Sequence, residues 1–401
     1  MKLPVVFILI TVMLDAMGIG LIMPIMPSLI REVQGGDLAN AALWGGVLST
    51  VFAVMQFLFS PVLGNLSDYL GRRPVMLVSL AVMALDYLVM AIAGSIWLLL
   101  LGRVVGGITA ATHTTATAYM ADISEPSKKA ANFGLVGAAF GVGFVLGPIL
   151  GGVLGGFGTR APFYAAAILS GANFLLGLFV MRETVTDVIR RPFYWRRANP
   201  LGAFRAVSSL PGVRELLWVY FLYSVALYVY PAIWSYFTEA RFGWSPQVIG
   251  LSLALFGLTM ALVQGVLIRI VLHRFGEART VLLGLGADFL AFGMLTVVTS
   301  GAVALLLTPV AALGAVVAPA IQAMMSRAVP DNQQGELLGV VNSVHALSMI
   351  VSPLMMASVF SAFAGADARF YLPGAPFALS MLLLLLAAAI FIHSIRAKTV
   401  P

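Results

Sequence analysis

The chain has 401 residues, of which 61% are hydrophobic and only 10% charged, with a mean hydropathy of +1.00. That is too little polar surface to cover a soluble globule of this size, so the composition reads as a polytopic, all-α membrane protein. The formal charge of +7 is scattered over short connections and forms no basic tract that would suit nucleic acid, and the lack of cysteine excludes disulfides and thiolate metal sites.

Stretches of about 20 mostly apolar residues, enough to cross the hydrocarbon core, mark the spans. They run roughly over 5–27, 42–64, 74–94, 97–121, 130–156 and 160–182, then 213–238, 247–270, 278–299, 302–326, 335–362 and 372–394, twelve in all. The first, beginning near Val5, is longer than a signal-peptide core and has no small-residue cleavage pattern after it, so it is expected to remain as a span. One long connection, 183–212, carries Glu183, Asp187, Arg190, Arg191, Arg196, Arg197 and Arg205 beside Phe193-Tyr194-Trp195. It reads as a cytoplasmic linker dividing two six-span bundles, 1–182 and 213–401. Eighteen of the 23 Lys and Arg fall at the termini, in the even-numbered connections or in the linker segment, and four in the odd-numbered connections, so both termini are expected in the cytoplasm.

In chain order, Asp15 sits in the middle of the first span and Gln56 within the second. Next comes the polar hinge 64–74, with Gly64, Asp68, Gly71, Arg72, Arg73 and Pro74. Glycine allows a tight turn there, proline suits a first helical turn, and Asp68 can accept from a helix N-terminus or pair with an arginine. This predicts a cytoplasmic gate latch; the bland alternative is a pair of positive-inside anchors. Asp86 lies in the outer part of the third span and Asp288 near the middle of the ninth. An ionised Asp at the bilayer centre costs at least ~2.5–3.5 kcal/mol, so such residues face water, pair, or hold a proton. Arg103, the one basic residue inside a span, keeps its charge and needs an acid, for which Asp15 is the expected partner. His113 follows in the fourth span, as a proton-relay or packing group. The fifth span carries a glycine ridge that includes Gly137, Gly141, Gly147 and Gly151 with Pro148, suited to close helix packing. The seventh is aromatic, and Tyr223, Tyr228 and Tyr230 are expected either to form a wall for a flat amphiphilic substrate or to face lipid or pack between helices. Gln322, Asn342 and His345 are polar positions in later spans. The histidines are too far apart for a metal site, and no nucleotide loop or catalytic constellation is present, which argues against an enzyme or ATP-driven transport.

The second half echoes the first. Asp68-Tyr69-Leu70-Gly71-Arg72-Arg73-Pro74-Val75 corresponds to His273-Arg274-Phe275-Gly276-Glu277-Ala278-Arg279-Thr280, and Gly147-Pro148 to Ser352-Pro353. Two pseudo-symmetric halves around a central cavity are a hallmark of alternating access.

These motifs resemble the major facilitator superfamily, and within it the drug:proton antiporters of the tetracycline efflux type. The hinge matches the superfamily loop between spans two and three. Leu101-Gly102-Arg103-Val104-Val105-Gly106-Gly107 resembles its fourth-span motif, and 137–152 its antiporter motif. Leu14-Asp15-Ala16-Met17-Gly18-Ile19-Gly20-Leu21-Ile22-Met23-Pro24, Leu85-Asp86-Tyr87, Leu282-Leu283-Gly284 with Ala287-Asp288, Glu239-Ala240-Arg241-Phe242-Gly243-Trp244 and Pro319-Ala320-Ile321-Gln322 extend the match. The resemblance implies a monomeric antiporter of a bacterial cytoplasmic membrane with no resident cofactor, coupled to protons through Asp15, Asp86, Asp288 and Arg103. Its cargo would be tetracycline or a similar drug, with a divalent cation carried as part of a chelated substrate. Two departures lie near the cargo: Val229-Tyr230-Pro231 where the family usually has Gly-Gln before the proline, and Thr112-His113-Thr114-Thr115 in place of small residues. They leave another drug or a metabolite open as cargo. An uptake symporter or facilitator and a non-transporting membrane receptor are the alternatives.

Overall fold

The computed structural model describes residues 3–110, 112–186, 190–194, 199 and 212–399. Asp187, Trp195, Arg196, Arg197 and Arg205 of the expected linker lie outside them. Every regular element among the described residues is helical. Within a bilayer each backbone polar group must find its partner inside its own segment, and the helix meets that demand.

Eleven helical stretches are long and apolar enough to cross a membrane. The twelfth expected span is contained in Pro246–Val297, whose 52 residues would, at about 1.5 Å per residue, be more than twice as long as the hydrocarbon core is thick. Its backbone leaves helical geometry at Gly276, with φ 72 and ψ 171, a left-handed value that favours glycine. The eighth and ninth spans meet there. Side chains such as Phe179 (87% exposed) and Phe157 (82% exposed) would promote aggregation in water, but lipid tails are as apolar as they are.

The described chain groups into two compact units. The first comprises Met1–Gly35, Val51–Pro200 and Ser245–Ala254, the second Gly36–Thr50, Leu201–Trp244 and Leu255–Pro401. Relative to the six-plus-six division, residues 36–50 and 245–254 change sides.

The first unit holds α1 (Leu3–Ile22), α2 (Met26–Gln34), most of α3 (Leu38–Leu70), α4 (Arg72–Ile92), α5 (Ile96–Thr109), α6 (Thr112–Ile123), α7 (Lys129–Gly155) and α8 (Ala161–Val180). Its core gathers Phe7, Ile8, Val12, Met76, Leu80, Tyr119 and Met120. Helix α1 packs along α7, and α4 along α8. Gly143, Gly147 and Gly151, one turn apart, bring α7 against the backbone of Met13, Met17 and Leu21, where any β-carbon would overlap α1. The packing ridge is therefore narrower than the sequence reading had it: Gly137 and Gly141 have open space around them. The hinge is also tighter than expected. Helix α3 continues through Gly64, which nothing approaches, to Leu70, and only Gly71, at φ 115, separates it from α4.

The second unit holds α9 (Arg214–Leu227), α10 (Val229–Phe242), the later part of α11 (Pro246–Leu262), α12 (Ile268–Val297), α13 (Gly301–Ala312), α14 (Val317–Ala328), α15 (Gln334–Ala364) and α16 (Ala375–Thr399). The 3₁₀ turn Leu313–Val316 interrupts the tenth span between α13 and α14. Helix α9 packs along α16 and α15, and α12 along α16 and α14. Tyr230, Trp234, Phe237, Phe292 and Phe377 interlock at the centre, with ring centroids 4.9 to 6.3 Å apart in the contacting pairs.

Candidate functional site

In the first unit, α4 and α5 form a hairpin, and Arg103 Nη2 of α5 donates to Asp86 Oδ2 of α4 at 2.8 Å. Their side chains are only 13% and 7% exposed. Two glycines one turn apart make room for the carboxyl. A β-carbon on Gly102 would come within 2.6 Å of Oδ1, and one on Gly106 within 2.8 Å of Oδ2. The guanidinium also lies over the Phe52 ring at 5.2 Å and donates to the Met90 sulfur. This overturns the expected pairing of Arg103 with Asp15. Asp15 belongs to α1, which packs chiefly on α7 and α8, whereas α5 is the hairpin neighbour of α4. Half-buried Asp15 has a neighbour in common with the pair, Tyr87, whose phenol is within electrostatic reach of Asp15, Asp86 and Arg103. That hydroxyl occupies the place where a Gly18 side chain would begin.

At the hinge, the N-terminus of α4 has no capping side chain of its own, because Gly71 stands at the N-cap. Glu183, just beyond α8, supplies the cap: the amides of Arg72 and Arg73 donate to its two carboxylate oxygens at 2.9 and 3.1 Å. An anion at a helix N-terminus complements the dipole. Asp68, expected as either cap or arginine partner, is the partner, 2.6 Å from Arg72 Nη1. The same guanidinium donates to Ser67 at 2.6 Å and reaches Asp122 at 3.3 Å, and Thr184 donates to Asp122 at 2.9 Å. Arg73 Nη2 donates to the Leu178 carbonyl at 2.9 Å. Asn65 Nδ2 donates to the Tyr194 carbonyl at 2.9 Å, so the described start of the linker lies on the hinge. Sequence reasoning missed Glu183, Asp122 and Ser67 as members of this cluster. A usable signal existed, an acid directly after the sixth span beside a helix start without a cap.

In the second unit, Asp288 of α12 is fully buried, and among the described residues neither carboxyl oxygen has a hydrogen-bond partner. Its carboxyl rests against Gly314, where a β-carbon would overlap it. Tyr223 donates to the Gly314 carbonyl at 2.8 Å. Tyr223 and Tyr230 are 2% and 4% exposed, so of the two expectations packing holds for them and the open wall does not: both face the helix core around Asp288. Tyr228 and His345 are partly exposed, with rings 5.8 Å apart, and Tyr220, unforeseen, joins them at 6.4 Å from His345. Gln322 Nε2 lies 3.3 Å from the Tyr220 hydroxyl, and Asn342 is exposed. This group presents flat rings and hydrogen-bonding edges, which suit a planar amphiphile. In the first unit, exposed His113 meets the Phe140 ring edge-on at 5.6 Å, and half-buried Gln56 donates to the Ala110 carbonyl at 3.4 Å. Among the described residues no group of three or more His, Asp or Glu could hold a metal ion.

Comparison with known proteins accords with this picture. The sequence profile of the Major Facilitator Superfamily matches residues 8–240 and 216–398. The chain is 44% identical to the class C tetracycline resistance protein of Escherichia coli over 89% of both chains. It is 41% identical to the class G tetracycline resistance protein of Vibrio anguillarum, over 91% of this chain and 92% of that one. A crystal structure of the human organic anion transporter MFSD10 superimposes with a TM-score of 0.70 at 26% identity, covering 97% of this chain and 99% of that one. These relatives are transport and resistance proteins rather than enzymes. The chain belongs to the Major Facilitator Superfamily.

Proposed function

We propose that this protein exports tetracycline or a tetracycline-like amphiphile in exchange for protons across a bacterial cytoplasmic membrane. The observation that carries the coupling is Asp288, a buried carboxyl with no hydrogen-bond partner among the described residues. In hydrocarbon such a group is costly as an unpaired anion, so binding a proton is the natural way for it to exist there. The tetracycline resistance proteins of 44% and 41% identity support the cargo. Residues 1–182 and 213–401 act as two halves joined by the 183–212 linker, with both termini inside and the monomer as the working unit. In the first half the Asp86–Arg103 pair, with Asp15 near it through Tyr87, forms a second proton-sensitive centre, since a proton on Asp86 would cancel the pair. The cluster of Asp68, Arg72, Arg73 and Glu183 around Gly71 acts at the cytoplasmic gate, with Gly64 in the continuous helix before it. Gly147, Pro148 and Gly151 seat α7 on α1, while Gly137 and Gly141 leave a bare face on which α7 can move. The groups proposed for cargo are Gln56 and His113 in the first unit and, separately, Tyr228, Gln322, Asn342 and His345 in the second. A divalent cation would travel with a chelating substrate.

The test is a susceptibility panel in an efflux-deficient host, joined to uptake in everted vesicles. Wild type should raise tetracycline tolerance at least about tenfold and Asp288→Asn should abolish it; unchanged tolerance in the wild type would remove the cargo. Uptake that persists after collapse of the pH gradient would defeat the antiport reading. An organic anion in the same panel tests the cargo class named for the human relative.

A further inference from the structure

Among the described residues of the second unit, the Asp288 carboxyl, on both oxygens, and the hydroxyls of Tyr230 and Tyr236 are buried without a hydrogen-bond partner, and Asp288 and Tyr230 share one helix core. Unsatisfied groups of this kind are rare in folded proteins and call for a reason. The Tyr230 ring packs on Phe292 at 5.6 Å, and Phe292 lies one helical turn beyond Asp288 on α12. Phe256 and Phe377, at 4.8 and 5.9 Å, also flank the ring and keep it in the neighbourhood of Phe292. Tyr230 and Asp288 are within electrostatic reach of each other. Tyr223 lies seven residues earlier, two helical turns, and is likewise within reach of Asp288. Its hydroxyl is committed elsewhere, to the carbonyl of Gly314. That bond sits on the 3₁₀ turn Leu313–Val316, and the same glycine supplies the space that the Asp288 carboxyl fills.

We propose that Tyr230 is the positioning residue of Asp288: its hydroxyl donates to the carboxylate when Asp288 has released its proton, while Tyr223 holds the Gly314 turn on which the carboxyl rests. This rests on the reading of Asp288 as the proton-coupling group and adds the device that makes release reversible inside an apolar core. A carboxylate deprived of water needs a donor, and a charge-assisted hydrogen bond is the stronger kind. The tyrosine keeps its own proton; the proton that leaves Asp288 goes to water. Among the described residues, the other charged groups on the elements packed against Asp288 stand away from it: helix α13, the 3₁₀ turn and the π turn Val263–Leu267 carry none, Arg269, His273, Arg274, Glu277 and Arg279 lie in the first turns of α12, Arg327 near the end of α14, and His393 and Arg396 in the last two turns of α16.

The experiment compares wild type, Tyr230→Phe, Asp288→Asn, their double variant and Tyr236→Phe in proteoliposomes, reading the pH profile of tetracycline–proton exchange. Tyr236 is an equally buried tyrosine of the same unit whose hydroxyl also lacks a partner, and it serves as the control. Tyr230→Phe should move the midpoint of exchange to higher pH by about one unit, as loss of one charge-assisted donor gives, while Tyr236→Phe leaves it in place. The double variant should match Asp288→Asn. If Asp288→Asn abolishes exchange and Tyr230→Phe keeps the wild-type profile, the inference is overturned and the coupling reading stands. If Asp288→Asn exchanges normally, the coupling reading itself falls. Should Tyr230→Phe fail to fold, pH-jump infrared difference spectra of wild type with ring-labelled tyrosine decide: a tyrosine band lost in Asp288→Asn supports the pair, and no tyrosine band overturns it.

Discussion

Arg103 donates to Asp86 at 2.8 Å across the α4–α5 hairpin, and the carboxyl it meets is held between Gly102 and Gly106. A charge pair this enclosed has little water to fall back on. Removing one partner of a buried pair costs on the order of 3–5 kcal/mol, because the survivor is left uncompensated. Arg103→Leu should therefore lower the thermal midpoint of detergent-solubilised protein and reduce tetracycline resistance to background. Asp86→Asn with Arg103→Gln should recover part of the stability lost by either alone, and additive losses would show that the two are not coupled.

The glycines around that carboxyl make a sharper test, since they carry no charge. Gly106→Ala places a methyl group within 2.8 Å of Asp86 Oδ2, and overpacking of this kind costs roughly 1–3 kcal/mol. A thermal midpoint equal to wild type would mean that the notch is looser than the geometry describes.

On α7 the same substitution should have opposite outcomes one and a half turns apart. Gly147→Ala would overlap the Met17 carbonyl of α1 and should destabilise, whereas Gly141→Ala enters open space and should leave stability unchanged. If Gly141→Ala nonetheless impairs transport at wild-type stability, the bare face matters for motion rather than packing.

Glu183 caps α4 from a distance of over a hundred residues in sequence. Glu183→Ala should cost about 0.5–2 kcal/mol, the range for a lost N-cap, with Glu183→Gln retaining part of it. A melting curve of each variant measures this, and transport should fall in step if the cluster serves as a gate.

Glu32 gives a pH prediction outside the membrane spans. Hydrogen bonds from Thr159 and then Arg160 hold its carboxyl below the ordinary value of 4.5. A depressed carboxyl contributes stability above its unfolded value and loses it as pH falls through the lower folded one. The thermal midpoints of wild type and Glu32→Gln should differ at neutral pH and converge as the medium is acidified below about 4.3. The effect should be small, because the Glu32 side chain is 42% exposed and solvent screens the pair. A constant difference across that acidic range would remove the carboxylate as its cause.

The sequence by itself determined the helical membrane class and the family. Unbroken apolar runs admit no other way to satisfy the backbone, and motifs such as the hinge and the arginine of the fourth span are local strings. It also marked Asp15, Asp86 and Asp288, since a charge inside a span stands out in composition alone. Only the tertiary structure decided who meets whom. Arg103 takes Asp86 rather than Asp15 because α5 folds back on α4 with the two side chains on facing surfaces, and which faces meet is set by packing rather than by the order of spans. Tyr230 turns toward the core around Asp288 because its ring packs against Phe256, Phe292 and Phe377, and Tyr223 because its hydroxyl reaches the Gly314 carbonyl. Glu183 becomes the cap of α4 through proximity in space, whereas sequence patterns report only proximity along the chain.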